Sequence, residues 1–442
     1  MRRLVAGVDT STQSCKVLVV DAQTKEIVRS GSASHPDGTE VNPAAWWEAF
    51  KEAAKAAGGL ADVEAISVGG QQHGMVTLDA DGEVVRDALL WNDTRSAGAA
   101  RDLIDELTGE AWAEACGSTP VASLTVTKLR WFVDNEPEAF KRVAAVCLPH
   151  DYLSWKLSGS KSIEDLFTDR SDASGTGYLD LRTGEYRYDL LAHALRMSEE
   201  EAKRLVLPKV VEPFQAGGVV QVDDEETGLR AGTLIGPGCG DNAGAALGLD
   251  LKPGEASVSI GTSGVVAAVA DKPIWDRNGV ITGFMDATGN WLPLAATLNG
   301  ARVIASTAAL LGVSFEEFDE LALSVPDAGG LKMVPYFEGE RTPNLPHATA
   351  EMSGMTLANW TRPHLARAAV EALAELMHGA AQALIDCGVE LDRVRLIGGG
   401  ARSQALRKVL PEVLGVAVDV PEPAEYVALG AAKQAAAVLQ AS

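Results

Sequence analysis

Basic side chains are in short supply in this sequence. Against 61 Asp and Glu stand only 38 Lys and Arg, a formal charge of −23 at pH 7. A chain this acidic repels phosphate backbones, which excludes a nucleic-acid-coating role. Long apolar runs are missing too. No uncharged apolar stretch reaches the roughly 20 residues that cross a bilayer. The run after Arg2 and Arg3 meets Asp9 too soon for a signal peptide. A membrane partner is therefore excluded, and a cytoplasmic location is expected. The five cysteines (Cys15, Cys116, Cys147, Cys239, Cys387) are scattered, without a Cys-x-x-Cys pair. That pattern fits free thiols in a reducing compartment and excludes a disulfide framework. The seven histidines form no His-x-x-x-His pair, so a dedicated transition-metal site is not expected.

Some familiar chemistry is absent as well. No Gly-x-x-x-x-Gly-Lys-Ser/Thr run occurs, and Asp241 interrupts Gly236-Pro237-Gly238-Cys239-Gly240 where a dinucleotide fingerprint needs glycine. Gly261-Thr262-Ser263-Gly264 lacks the spacing of a hydrolase nucleophile elbow.

What the chain does have is glycine in clusters. The small-residue turns at Gly7–Ser14, Gly69–Gly74, Gly236–Gly248, Gly261–Gly264 and Gly398–Gly400 each follow a short β-branched run. Such turns sit at strand ends, where backbone bends sharply or approaches a ligand. Leu4–Val8 reads as a buried strand, Asp9–Ser14 as a turn and Lys16–Asp21 as the returning strand. The layout recurs as Ala256–Ile260, Gly261–Gly264 and Val265–Val269. Two such hairpins, each opening about half of the 442 residues, predict two related α/β halves, 1–249 and 250–442. Apolar residues at helical spacing predict helices over Pro43–Ala57, Ser96–Leu107, Ala301–Leu311, Pro363–Cys387 and Ser403–Leu414.

Hydroxyl-and-glycine turns with acids at strand ends suit phosphoryl transfer, which needs positioning and charge neutralisation more than covalent chemistry. An Asp can hold Mg²⁺ or accept the proton of an attacking hydroxyl, and Asp9 and Asp241 suit those roles. Each could equally cap its turn. His73, beside Gln71 and Gln72, offers donors and acceptors for sugar hydroxyls, or is a satisfied histidine at a strand end. Trp91-Asn92-Asp93-Thr94-Arg95 offers a polar turn with an aromatic wall, or a helix cap at Asp93 or Thr94.

Taken in order, these motifs resemble the FGGY family of carbohydrate kinases, closest to its branch acting on D-xylulose. The resembling pieces include Gly7–Thr12, Gly70–Gly74, Leu90–Arg95, Thr127–Trp131, Ser171–Thr176 and Gly240–Gly244. Further along come Ser259–Gly264, Gly339–Pro343, His364–Ala368 and Gly398–Arg402, so nearly the whole chain is covered. The resemblance implies two actin-like (RNase H-like) domains with a catalytic cleft between them, the second binding nucleotide. It implies ATP and Mg²⁺ as cofactors and transfer of phosphate to the sugar's 5-hydroxyl. By the same resemblance Asp241 is the general base, Asn242 borders the sugar, and Gln72 and His73 bind it beside Trp91, Asn92 and Asp93. Asp9, with Thr10, Ser11 and Thr12, forms the metal and phosphate turn of the first half. Thr262 and Ser263 form the phosphate turn of the second, and Gly399, Gly400 and Ala401 resemble an adenosine-binding turn whose missing side chains admit the nucleoside. Gln72 stands where that branch often carries Met, which leaves another pentulose or a sugar alcohol open. A non-catalytic sensor on the same fold is the reading from another class. A homodimer is the assembly the resemblance suggests, although the family's dimer contacts do not carry over to a chain ending at Ser442.

Overall fold

A computed structural model describes the protein over residues 2–442. The chain forms two compact units. The first comprises residues up to Asp250 together with Gly283–Trp291 and Glu425–Ser442, and the second comprises Leu251–Thr282 and Leu292–Ala424.

The first unit is built on a seven-stranded sheet. Strand Leu4–Thr10 lies at its centre, antiparallel to Ser14–Asp21 and parallel to Val63–Gly70. Beyond these, Ile27–Ser34 extends the hairpin side, and Leu234–Ile235 adds a parallel strand on the other. The short strand Cys239–Gly240 pairs with the last two residues of Val63–Gly70. Every residue of Leu4–Thr10 is buried, and the uncharged run Leu4–Val8 suits a strand covered on both faces. Helix Ala44–Ala56 covers one face with Phe50, Ala53 and Ala54. The C-terminal helix Tyr426–Ala441 covers the other with Ala428, Ala432 and Ala435. Each core valine or leucine removed from water contributes about 1.5–3 kcal/mol.

In the second unit a five-stranded sheet runs Leu294–Ala296, Gly264–Ala268, Glu255–Ile260, Arg393–Ile397 and Ala417–Asp419. Gly264–Ala268 runs antiparallel to both its neighbours, and the last two strands are parallel to Glu255–Ile260. Five strands of the first unit, Ile27–Ser34 through Leu234–Ile235, have the same order and directions. The repeat visible as two sequence hairpins is thus a repeat of whole sheets.

The predicted helices form within one residue at each end, as Ala44–Ala56, Ala97–Leu107, Arg302–Leu311, Arg362–Asp386 and Gln404–Leu414. The first strand runs two residues further than its sequence suggests, carrying Asp9 and Thr10 inside the sheet. Allocation of the chain differs more. A division into 1–249 and 250–442 leaves the last helix in the second half, whereas it packs in the first unit. The reason is steric: a Cβ on Gly7 would lie 1.9 Å from the Ala428 carbonyl oxygen, so the alanine-rich helix seats directly on the central strand's backbone.

Candidate active site

Asp9 and Asp241 leave the first sheet at the C-terminal ends of its parallel strands, where ligands of open α/β sheets bind. Asp9 is opposite Gly69 and Thr10 opposite Gly70. On the far side of the same strand, Cys239 and Gly240 pair with the same two glycines. Two strand spacings put these backbones about 10 Å apart. Asp241 then opens helix Asp241–Gly248, with Gly240 as the extended residue before it.

Both acids are perturbed. Burial pushes Asp9 above the ordinary carboxylate range, opposed by the Ser11 hydroxyl, which donates to Oδ1, and by Lys16 across the hairpin. Lys16 in turn pairs with Glu425. Burial raises Asp241 to about 7, and the negative charge of Asp9 adds to the effect. Asp241 is hydrogen-bonded through Oδ1 to the Asn242 backbone N–H at 2.8 Å and to Asn242 Nδ2 at 3.1 Å. The same Nδ2 donates to Gln72 Oε1 at 2.9 Å. A continuous polar run therefore joins Gln72, Asn242 and Asp241.

His73 follows Gln72 in a left-handed backbone conformation, φ 69°. Its Nδ1 lies 2.7 Å from the Gly175 carbonyl oxygen. A carbonyl can only accept, so Nδ1 carries the proton and Nε2 of the neutral ring is left as an acceptor. Burial keeps the ring neutral, lowering its pKa to about 4. Phe284, from the segment that rejoins the first unit, packs on the ring with centroids 5.4 Å apart.

The turn at Trp91 is tied to the Asp9 turn, since Trp91 Nε1 donates to Thr12 Oγ1 at 2.9 Å. Trp91 is exposed, Asn92 half-buried and Asp93 buried. Asn92 Oδ1 is buried without a protein partner. Asp93 does not cap a helix. Its carboxylate accepts from Thr39 Oγ1 at 2.8 Å and from Arg95 N and Nε at 3.0 and 2.9 Å, while Ser96 occupies the cap position without a side-chain bond. With its oxygens taken by Thr39 and Arg95, the carboxylate makes no bond to the helix N–H groups beyond Ser96. Burial works to raise the Asp93 pKa, but Arg95 and Thr39 outweigh it and hold it low.

In the second unit, Thr262 and Ser263 are exposed on the turn between Glu255–Ile260 and Gly264–Ala268. Gly261 N–H closes that turn on the Ser263 carbonyl at 2.9 Å. Gly399, Gly400 and Ala401 form a single 3-10 turn after strand Arg393–Ile397. The space around the three differs. A Cβ on Gly399 would meet nothing within 4 Å, whereas one on Gly400 would lie 2.6 Å from Ile260 Cγ2, and Ala401 is buried. Packing against Ile260 explains Gly400 without a ligand.

Three groups around Asp241 give no signal in the sequence as ligands or acids. Ser171 Oγ accepts from the Gly240 N–H at 3.1 Å. Next to it, Asp172 meets buried His150 at 2.6 Å, and Asp151 faces the other ring nitrogen at 3.2 Å. Burial disfavours a charged imidazole, but the two carboxylates outweigh it and hold His150 protonated. Gln434, from the C-terminal helix, bonds to Gly238. Ser171 and Asp172 lie in a motif of the resemblance, and Gln434 is a lone amide in an alanine-rich run.

Two family models match the chain: the FGGY family of carbohydrate kinases, N-terminal domain, over residues 4–248, and its C-terminal domain over residues 256–439. A xylulose kinase of Streptomyces coelicolor is 46% identical over 99% of this chain and 88% of its own length. The xylulose kinase of Streptomyces rubiginosus is 44% identical with the same coverage. Among solved structures, that of xylulose kinase from Bifidobacterium adolescentis superposes with a TM-score of 0.94 at 49% identity, covering 100% of this chain and 94% of that one.

Proposed function

This chain belongs to the FGGY family of carbohydrate kinases, and from that premise we propose that it transfers the γ-phosphoryl group of ATP to the 5-hydroxyl of D-xylulose. The observation that carries the reading is the polar run from Gln72 through Asn242 to Asp241, with Asp241 raised to about 7. A carboxylate with a pKa near the working pH is a suitable general base. Its position beside a carboxamide that can orient a polyol gives it a hydroxyl to act on. The choice of D-xylulose rests on the full-length similarity to proteins named xylulose kinase.

In this mechanism Gln72 and the free acceptor of His73 hold sugar hydroxyls, with Asn92 Oδ1 available as a further acceptor. Asp241 orients the 5-hydroxyl and takes its proton as the oxygen attacks. Asn242 keeps the carboxylate aimed by bonding its Oδ1. ATP supplies the phosphoryl group, and Mg²⁺ neutralises charge on its phosphates.

The residues fit both. Among the described residues no cluster of three or more His, Cys, Asp or Glu could cage an ion. Mg²⁺ does not need one, since it keeps several waters and binds through one or two carboxylates plus substrate phosphates. Asp9 can be that carboxylate, and Thr10 Oγ1 beside it is buried without a partner. The hydroxyls of Ser11, Thr12, Thr262 and Ser263 and the open face at Gly399 are the proposed phosphate and nucleoside contacts. No helix among the described residues is long and apolar enough to cross a membrane, and a cytoplasmic enzyme, alone or as a homodimer, is proposed.

A coupled ADP-release assay over D-xylulose, ribulose and a series of sugar alcohols tests the substrate. The highest kcat/KM is expected on D-xylulose. A better value on any other sugar overturns the choice, and sugar and ATP binding without ADP release would make the protein a sensor.

A further inference from the structure

The C-terminal helix Tyr426–Ala441 lies in the C-terminal family match by sequence, yet it touches the three backbone segments of the first unit that deliver Asp9, Gln72 and Asp241. It meets Gly7, ahead of Asp9, and a Cβ on Gly69, ahead of Gln72, would lie 2.7 Å from Val427 Cγ1. It also meets the Asp241 helix backbone to backbone: a Cβ on Gly430 would lie 2.0 Å from the Gly244 carbonyl oxygen. Alanine and glycine explain this close packing. They do not explain Gln434, a fully buried carboxamide on the same face.

Burying an amide is unfavourable unless its hydrogen bonds are made. All of those observed here go to two site segments. Gln434 Oε1 accepts from the Ser67 hydroxyl and from the Gly238 N–H at 3.0 Å, while Nε2 donates to the Gly238 carbonyl at 2.8 Å. Ser67 belongs to the strand that ends at Gly70, just before Gln72. Gly238, at φ +88°, starts the turn to Asp241. The turn has further supports, with the His150 ring where a Gly238 Cβ would be and Ser171 on the Gly240 N–H. Gln434 grips both polar groups of Gly238 within it.

We infer that Gln434 is a positioning residue for phosphoryl transfer, its carboxamide locking the Gly238 turn to the Ser67 strand and so fixing Asp241 relative to Gln72. The inference rests on Asp241 being the general base. A misplacement of about 1 Å at a reacting group can lower turnover about 10²-fold, and a carboxamide bound to both N–H and C=O of the turn prevents such a shift.

Gln434→Met keeps the volume and removes all three bonds. In material with native circular dichroism, kcat is expected to fall about 10²-fold, with KM for D-xylulose and for ATP changed by no more than about threefold. A residue that only filled the core would lower the melting temperature and leave kcat per folded molecule unchanged, and that result overturns the inference. Gln434→Glu serves if the Met variant does not fold. It keeps both acceptor bonds and restores the donor to the Gly238 carbonyl only when protonated. Its kcat relative to the native enzyme should therefore rise as pH is lowered from about 9 to about 6, and a flat ratio contradicts the assignment. Asp241→Asn in the same assay separates the two claims. Native turnover there removes the base itself, whereas a loss there with native kcat in Gln434→Met removes only the role of Gln434.

Discussion

The two hairpin turns share a backbone plan and differ in the charge they carry. Residues 11–13 follow a buried acid, Asp9, which is bonded to Ser11 and faces Lys16 across the ladder. Residues 261–263 present two exposed hydroxyls and no acid. Behind this second turn lies Glu340, fully buried and already bonded: it accepts from the backbone N–H groups of Leu298 and Arg341, at 2.6 and 2.7 Å, and from Asn299 Nδ2 at 2.9 Å. Leu298 and Asn299 lead into Gly300, whose Cβ would collide with the Gly261 carbonyl oxygen at 2.7 Å. One sheet plan thus carries two different placements of its acids. In the first unit a buried acid stands at the turn and accepts from Ser11, and in the second a buried carboxylate bonds the backbone that supports a turn without an acid.

If that contrast is right, the turns fail differently when altered. Asp9→Asn should lower kcat at saturating ATP and Mg²⁺ by about 10²-fold or more, the scale for losing one group that stabilises developing charge. Thr262→Ala and Ser263→Ala should each act mainly on ATP affinity, raising KM for ATP by about 3–10-fold, as expected for one hydrogen bond of about 0.5–1.5 kcal/mol. Steady-state kinetics with ATP varied separates these outcomes. A kcat loss in Thr262→Ala equal to that of Asp9→Asn would dissolve the contrast.

The smallest expected effect is on stability. Asp241 has a folded pKa of about 7, against about 3.9 for an unperturbed aspartate. The folded state therefore holds this proton more tightly than the unfolded state, and stability is lost as pH rises through that interval. Asp241→Asn removes the penalty, so its melting temperature should exceed that of the native protein above about pH 7. The gap should close towards pH 4, at roughly 2–4 °C for each kcal/mol relieved. A lower melting temperature for the variant at pH 8 would mean that Asp241 is held by contacts that stabilise its charge.

Much of this was legible in the sequence, because it is local. β-branched runs on either side of Asp9–Ser14 and Gly261–Gly264 specify hairpins, and helical spacing locates the long helices. The grouping of Asp241, Asn242 and Gln72 agrees with the motifs that contain them. Readings that depended on distant partners fared differently. Asp93 suits a cap by local rules until Thr39 and Arg95 take its oxygens. Gly400 looks like a ligand-facing glycine until Ile260 is seen against it. Gln434 reaches Gly238 across 196 positions, and no local period can register such a bond. The same holds for Phe284 on His73 and for the C-terminal helix in the first unit, both set by how the chain returns to a sheet it left earlier.

The central claim is that Asp241 takes the proton of the sugar hydroxyl, and the pH dependence of kcat for the native enzyme beside Asp241→Asn tests it most directly. Native turnover on D-xylulose should fall about tenfold per pH unit once the pH drops below about 7, where the carboxylate protonates. The Asn variant should be lower by about 10²–10⁴-fold at pH 8 and lack that limb. Native-like turnover in the variant, or the same acid limb in both proteins, would contradict the assignment.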